Sequence, residues 1–381
     1  MTAPSNASNG TILDEIRAKC LEESKRSLKN LCRLTGVSYE EMQTQITKDR
    51  RSMILAVSLI KGGDNYRDHV DAYYKAIDGM DFWEITEYHH RHHEQDAYEA
   101  LETIFEVDLI ERGYVISLAQ QLGMNLDDYQ SYGAFIRAFS MLIPHIYLYE
   151  YEFDAFLAGR SRVKSFPAVV FYQTLFGVLQ NLAAIIVRNL FNSVEKDGKQ
   201  YVQLATSGQI AISANDVFIK LGLQTNIDVL IGKKALSAIP FNPKPGVEAI
   251  VDAVQDLANK FVTLHEYGHL FRGHLASGHP RVELEYDADY FAIAALSRFA
   301  AVKQLNSYVY NLAIAIVFFC LHIRDVYYNT PQFTHPPAVN RFERLVKMMN
   351  NRDPVHSPEI FWEKIRQLVG PTLEDMYQIV I

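Results

Sequence analysis

Thr263-Leu264-His265-Glu266-Tyr267-Gly268-His269-Leu270-Phe271 is the stretch that organises this chain. Two histidines bracket a glutamate at H-E-x-x-H spacing inside an apolar helical pattern. On a helix, residues four apart lie on one face, so His265 and His269 can aim imidazole nitrogens at one point. Zinc accepts neutral imidazole at about 2.0–2.1 Å and, at hydrolytic sites, leaves one position for water. Glu266 is then close enough to take a proton from that water without having to bind the metal. The plain alternative is a helix that happens to carry two histidines and a glutamate. Leu264, Tyr267, Gly268, Leu270 and Phe271 are uncharged, which predicts a buried helix, and buried histidines and carboxylates need partners.

A catalytic zinc needs a third protein ligand. The extended pattern H-E-x-x-H-x-x-G-x-x-H would put glycine at 272 and histidine at 275. Arg272 and Leu275 stand there, which excludes that class. A glutamate on the following helix is the remaining common choice, and Arg281 to Ala292 supplies it after a turn marked by Gly278 and Pro280. Glu285 and Asp289 are four apart and share a face. Glu285 is the expected third ligand, and Asp289 the carboxylate that receives an imidazole N–H and fixes its tautomer. Glu283 and Asp287 form a second pair rotated well round the helix, and amphipathicity assigns them to a solvated face.

His265-Glu-Tyr-Gly-His269 with His274, then Glu285-x-x-Ala-Asp289, then His335-Pro-Pro-x-x-x-Arg341, resembles the gluzincin peptidases. That group includes the CAAX prenyl proteases and the HtpX-type heat-shock proteases. The two-helix signature also looks like that of the phage-exclusion peptidase Lit and its relatives. The resemblance covers residues 261–345. It implies that His335 donates to the oxyanion as water attacks a carbonyl. It implies too that Arg341 partners Asp289 or another site carboxylate. His274 stays open between a neighbour of the ligands, a reserve ligand and a helix-end cap. The implied activity is that of an endopeptidase using one Zn2+ on a protein or peptide substrate, with Glu266 as general base. The Lit resemblance adds a regulatory or defence role. Two alternatives stand beside this: a zinc-stabilised binding protein without turnover, and an integral membrane metalloprotease.

The net charge of −8 and pI near 5.9 over 381 residues give no electrostatic case for nucleic acid. Three scattered cysteines fit a reducing compartment and a cytoplasmic protein, with inner-membrane association the less favoured alternative. Ser165 to Val187 and Gln304 to Ile323 are uncharged and long enough to span a bilayer. Polar residues such as Gln173, Gln180 and Asn181 favour two buried helices instead.

The expected fold is mainly α with a small β-sheet (α+β). It comprises a helical N-terminal region over 1–160 and a zincin-like metallopeptidase domain over 161–381. Apolar spacing predicts helices at Ile12–Leu34, Tyr39–Leu59, Tyr66–Ile77 and Asp96–Leu122. The cluster Tyr88-His-His-Arg-His-His93 reads as a polar helix face beside Glu84, Glu87 and Glu94. Strands are expected at Gln200–Ala205 and Gln209–Ser213, paired around Thr206-Ser-Gly208, and at Val229–Ile239. Helices follow at Val247–His269, Val339–Met349 and from Pro358 onward. By the resemblance, an edge of the small sheet holds an extended peptide over the metal.

Overall fold

The structure, a computed structural model, describes residues 9–48, 66–103, 109–149, 159–163, 166–196, 199–205, 217–231, 247–274, 281–328, 336–349 and 357–378. Within them the chain is mainly helical with two small sheets. The N-terminal part contains α1 (Asn9–Thr35), α2 (residues 39–48), α3 (Tyr66–Ala76), α4 (Phe82–Thr103), α5 (Arg112–Gln121) and α6 (Tyr132–Leu142). The strands β1 (His145–Leu148), β2 (Gly159–Val163) and β3 (Phe166–Tyr172) follow, then α7 (Gln173–Leu190) and the pair β4 (Phe191–Lys196) and β5 (Lys199–Leu204). The remainder is helical: α8 (Val217–Leu230), α9 (Glu248–Phe271), α10 (Arg281–Val302), α11 (Ser307–Tyr328), α12 (Ala338–Met349) and α13 (Pro358–Tyr377).

Strand order in the first sheet is β1-β3-β2, with β1 parallel and β2 antiparallel to β3. An exposed strand edge leaves backbone N–H groups without partners. On β1 that edge is covered by α1. Tyr147 N–H donates to Ser24 Oγ at 2.8 Å and Tyr149 N–H to Ser27 Oγ at 2.7 Å, both serines being buried. The serines on this helix therefore stand where another strand would. β2 forms the opposite edge, beside α9.

A continuous hydrophobic cluster runs from Ile16 on α1 to Leu373 on α13. Helix α9 lies within it, packed on α10, α11, α7 and α4. Tyr267, on the side of α9 away from the histidines' meeting point, has its hydroxyl 3.2 Å from His145 Nε2 on β1 and 3.5 Å from the Tyr98 hydroxyl on α4. Burial holds the His145 imidazole well below its ordinary pKa, so it joins this contact as a neutral ring. One residue of the H-E-x-x-H stretch thereby ties the helix to the sheet behind it.

Several expectations need correction. The N-terminal region is not wholly helical, because β1 precedes residue 160, β2 begins at Gly159, and both pair with β3 beyond it. Periodicity missed them because His145–Leu148 is too short to display alternation. The uncharged run from Ser165 is a strand followed by a helix, not one buried helix; β-branched and aromatic residues in Phe166–Tyr172 favour the sheet. β5 covers residues 200–204 of the strand expected at 200–205, and it pairs with β4 in register Phe191↔Leu204 to Lys196↔Lys199. Between the paired Lys196 and Lys199 the sequence reads Asp197-Gly198, a hairpin signal in its own right. The expected strand at 209–213 lies outside the described residues. Val229 and Leu230 end α8 rather than opening a strand, and 232–239 lie outside the described residues.

In the histidine cluster, His89 and His90 are partly buried, and the side chains of His92 and His93 lie outside the described residues. His89 Nε2 lies 2.6 Å from the Tyr73 hydroxyl, and His90 packs among Tyr147, Phe171 and Phe176. Among the described residues, α11 alone is long and apolar enough to cross a membrane, and 78% of its apolar window is buried inside the protein.

Candidate metal centre

Helix α9 carries His265, Glu266 and His269, all buried, and their potential ligand atoms lie within 4.8 Å of one another. Helix α10 brings the rest, and a glycine allows it to come so close. A Cβ on Gly268 would sit 3.1 Å from Ala288 Cα, 3.1 Å from Phe291 Cβ and 3.2 Å from the Ala288 carbonyl oxygen. Glu285 and Asp289 flank Ala288, so this helix crossing sets how far their carboxylates reach. Gly268→Ala is expected to cost about 1–3 kcal/mol through overpacking and to weaken metal binding as α10 is displaced. Denaturant unfolding and a metal titration check this, and wild-type values in both would mean the crossing is not so tight.

Three donors converge. His265 Nε2 and His269 Nε2 are 3.2 Å apart. The Glu285 oxygens lie 3.4 Å (Oε2) from the first and 3.3 Å (Oε1) from the second. Ligand atoms about 2.0–2.1 Å from a tetrahedral zinc are about 3.3–3.4 Å from each other, so this donor set suits the ion. The charge balance points the same way. Glu266, Glu285 and Asp289 are all buried, and the neighbouring buried cation is Arg341. With neutral imidazoles the group carries two excess negative charges, which a divalent cation would offset. Burial depresses His265, yet the Asp289 and Glu285 carboxylates outweigh it and raise this imidazole to about 9. Burial would raise the Glu285 carboxyl, but the two imidazoles and Arg341 hold it well below the usual range. The pocket is thus built to attract positive charge.

Behind each histidine stands a set of polar contacts. His265 Nδ1 lies 3.0 Å from Asp289 Oδ1, within ion-pair range although not aligned as a hydrogen bond. Asp289 receives Arg341 through Nε (2.8 Å) and Nη2 (2.7 Å), a buried fork. Arg341 reaches it from the first turn of α12, whose start is pinned where Ala338 N–H donates to Asp325 Oδ2 at 2.6 Å. His269 Nδ1 is 2.9 Å from His274 Nδ1, and His274 Nε2 is 2.9 Å from Asp287 Oδ2. Arg272 grips the same carboxylate through Nε (2.8 Å) and Nη2 (3.0 Å).

His274 gets there because α9 ends in a Schellman turn. Gly273 takes φ +67°, its N–H donates to the Leu270 carbonyl, and the His274 N–H donates to the His269 carbonyl. The structure therefore gathers His265, Glu266, His269, Glu285, Asp289, Arg341 and His274 in one region. His335 lies outside the described residues. Glu283 is exposed as expected, but Asp287 is not a solvated acid; it is half-buried and paired with Arg272 and His274. Residues Arg272, Asp287, Gly268 and Gly273 were missed as contributors. A glycine just past a helical run was the available signal for the turn. The tight helix crossing at Gly268 had none.

Fold and site together define a mainly helical protein in which a His-Glu-His group on one helix faces a glutamate on the next. Comparison with protein families bears on the same segment: residues 240–363, spanning α9 to the start of α13, match the family model Peptidase U49. The chain is similar to that family over this part, about a third of its length. No curated protein and no solved structure matches it.

Proposed function

We propose that the chain is a zinc-dependent endopeptidase acting on a protein substrate. The observation that carries this is the triangle of His265 Nε2, His269 Nε2 and the Glu285 carboxylate, at edges of 3.2–3.4 Å, with Glu266 beside it. The similarity to Peptidase U49 over the same helices supports the choice of peptide bonds. The three donors would hold the ion, which when bound supplies Lewis acidity toward a water and a substrate carbonyl.

Glu266 accepts the proton of the attacking water and returns it to the leaving amine. Its Oε1 lies 3.9 Å from His265 Nε2, next to the donors but outside their triangle. Asp289 and Arg341 orient His265, and His274 sits against His269. His335, implied by the resemblance, is the candidate donor to the oxyanion. β2 is the sheet edge beside α9, which supports pairing of an extended substrate along it. The three cysteines are buried and unpaired, which supports a cytoplasmic location.

The test combines elemental analysis of the purified chain with N-terminal sequencing of fragments released from a whole-cell lysate. Stoichiometric zinc and new amino termini that vanish with a chelator are expected. His265→Ala should lose the metal and the fragments together. A wild-type chain that holds zinc but releases no fragments would make this a zinc-stabilised binding protein.

A further inference from the structure

We propose that Asp287, clamped by Arg272, is a positioning residue for His269 and acts through His274. This rests on the reading of His269 as a metal ligand given above.

The reasoning is a count of protons along one line of atoms. A neutral His269 that offers the Nε2 lone pair to an ion must carry its ring proton on Nδ1. That nitrogen faces His274 Nδ1 at 2.9 Å, so His274 Nδ1 must accept. The neutral His274 ring then carries its proton on Nε2 and donates it to Asp287 Oδ2, also at 2.9 Å. The opposite order would set the His274 Nε2 lone pair against a carboxylate oxygen, acceptor facing acceptor. Asp287 thus decides which nitrogen of His269 is free to bind.

Arg272 decides where Asp287 points. Its two nitrogens fork onto both carboxylate oxygens, leaving Oδ2 to take His274 as well. Arg272 caps α9 and Asp287 belongs to α10, so the fork also fixes the end of one helix against the other. A ligating histidine usually hands its second N–H to a carboxylate directly. Here a second imidazole lies between, placed there by the turn at Gly273. Asp287 also borders a surface cavity of about 320 Å3, with Glu283, Tyr286 and Tyr290 among its other walls. A small carboxylate from solvent can therefore reach its position.

The experiment measures zinc affinity of the full chain by chelator competition, with wild type in the same formate concentrations as baseline. Asp287→Ala is expected to bind zinc about 10- to 100-fold more weakly. Formate should recover part of the loss, and Glu283→Gln, on the same cavity, should match wild type. Unchanged affinity in Asp287→Ala overturns the proposal. So does a loss that formate leaves untouched, which would assign Asp287 to folding of the helix ends. Nitrogen-15 NMR of histidine-labelled, zinc-loaded wild type decides the matter without any substitution. His274 should carry its single ring proton on Nε2, and a proton on Nδ1 overturns the relay. A wild-type chain that binds no zinc would instead remove the metal reading on which both rest.

Discussion

Glu266→Gln is expected to keep zinc at wild-type stoichiometry while peptide hydrolysis falls about 10²- to 10⁴-fold, the usual share of a positioned general base. The amide preserves the size of the side chain in a site where Glu266 is only 5% exposed, so packing is retained. It cannot accept the proton of the attacking water. The donor triangle does not include this residue, so the metal should stay. Elemental analysis and turnover of the lysate fragments are measured on the same preparation. Equal turnover in wild type and variant would dispose of the peptidase reading, whereas loss of metal would mean that Glu266 is a ligand.

Arg341→Met should produce the largest loss of stability, about 3–5 kcal/mol, because removing one partner of a buried ion pair strands the other. Arg341 is 6% exposed and Asp289 1%, so solvent cannot replace the fork. Burial would raise the Asp289 carboxyl, but Arg341, followed by His265, holds it below the ordinary value; Glu285 is held low as well. A carboxyl depressed in the folded state contributes stability above its unfolded pKa of about 3.9–4.3. That contribution is lost as pH falls through the lower folded value. Wild-type unfolding in urea should therefore weaken steeply below about pH 4. In Arg341→Met the neutral-pH plateau should be lower and the acid slope shallower, since Asp289 keeps only His265 to hold it down. A variant with the wild-type plateau would show that the fork contributes little beyond geometry.

Much of the centre was legible because it depends on helical spacing alone. His265 with His269, and Glu285 with Asp289, lie four residues apart, and that period puts each pair on one face whatever the rest of the chain does. Arg341 required a resemblance, since nothing local says that an arginine 52 residues from Asp289 should meet it. The sheet was read poorly for a related reason. β1 is four residues long and is completed by serines of α1 more than a hundred positions away. Its partner β3 opens a run whose uncharged character suits helix and strand equally.

Residue type and helical spacing set the donor types, their order, the buried character of α9 and the mainly helical class, all properties of neighbours within about one helical turn. Tertiary packing alone sets three things: that Gly268 lets α10 approach, that the turn at Gly273 folds His274 onto His269, and that Asp287 is engaged by His274 and Arg272. Those are matters of close packing between segments far apart in the chain, where tenths of an ångström separate contact from clash and no local periodicity records the outcome.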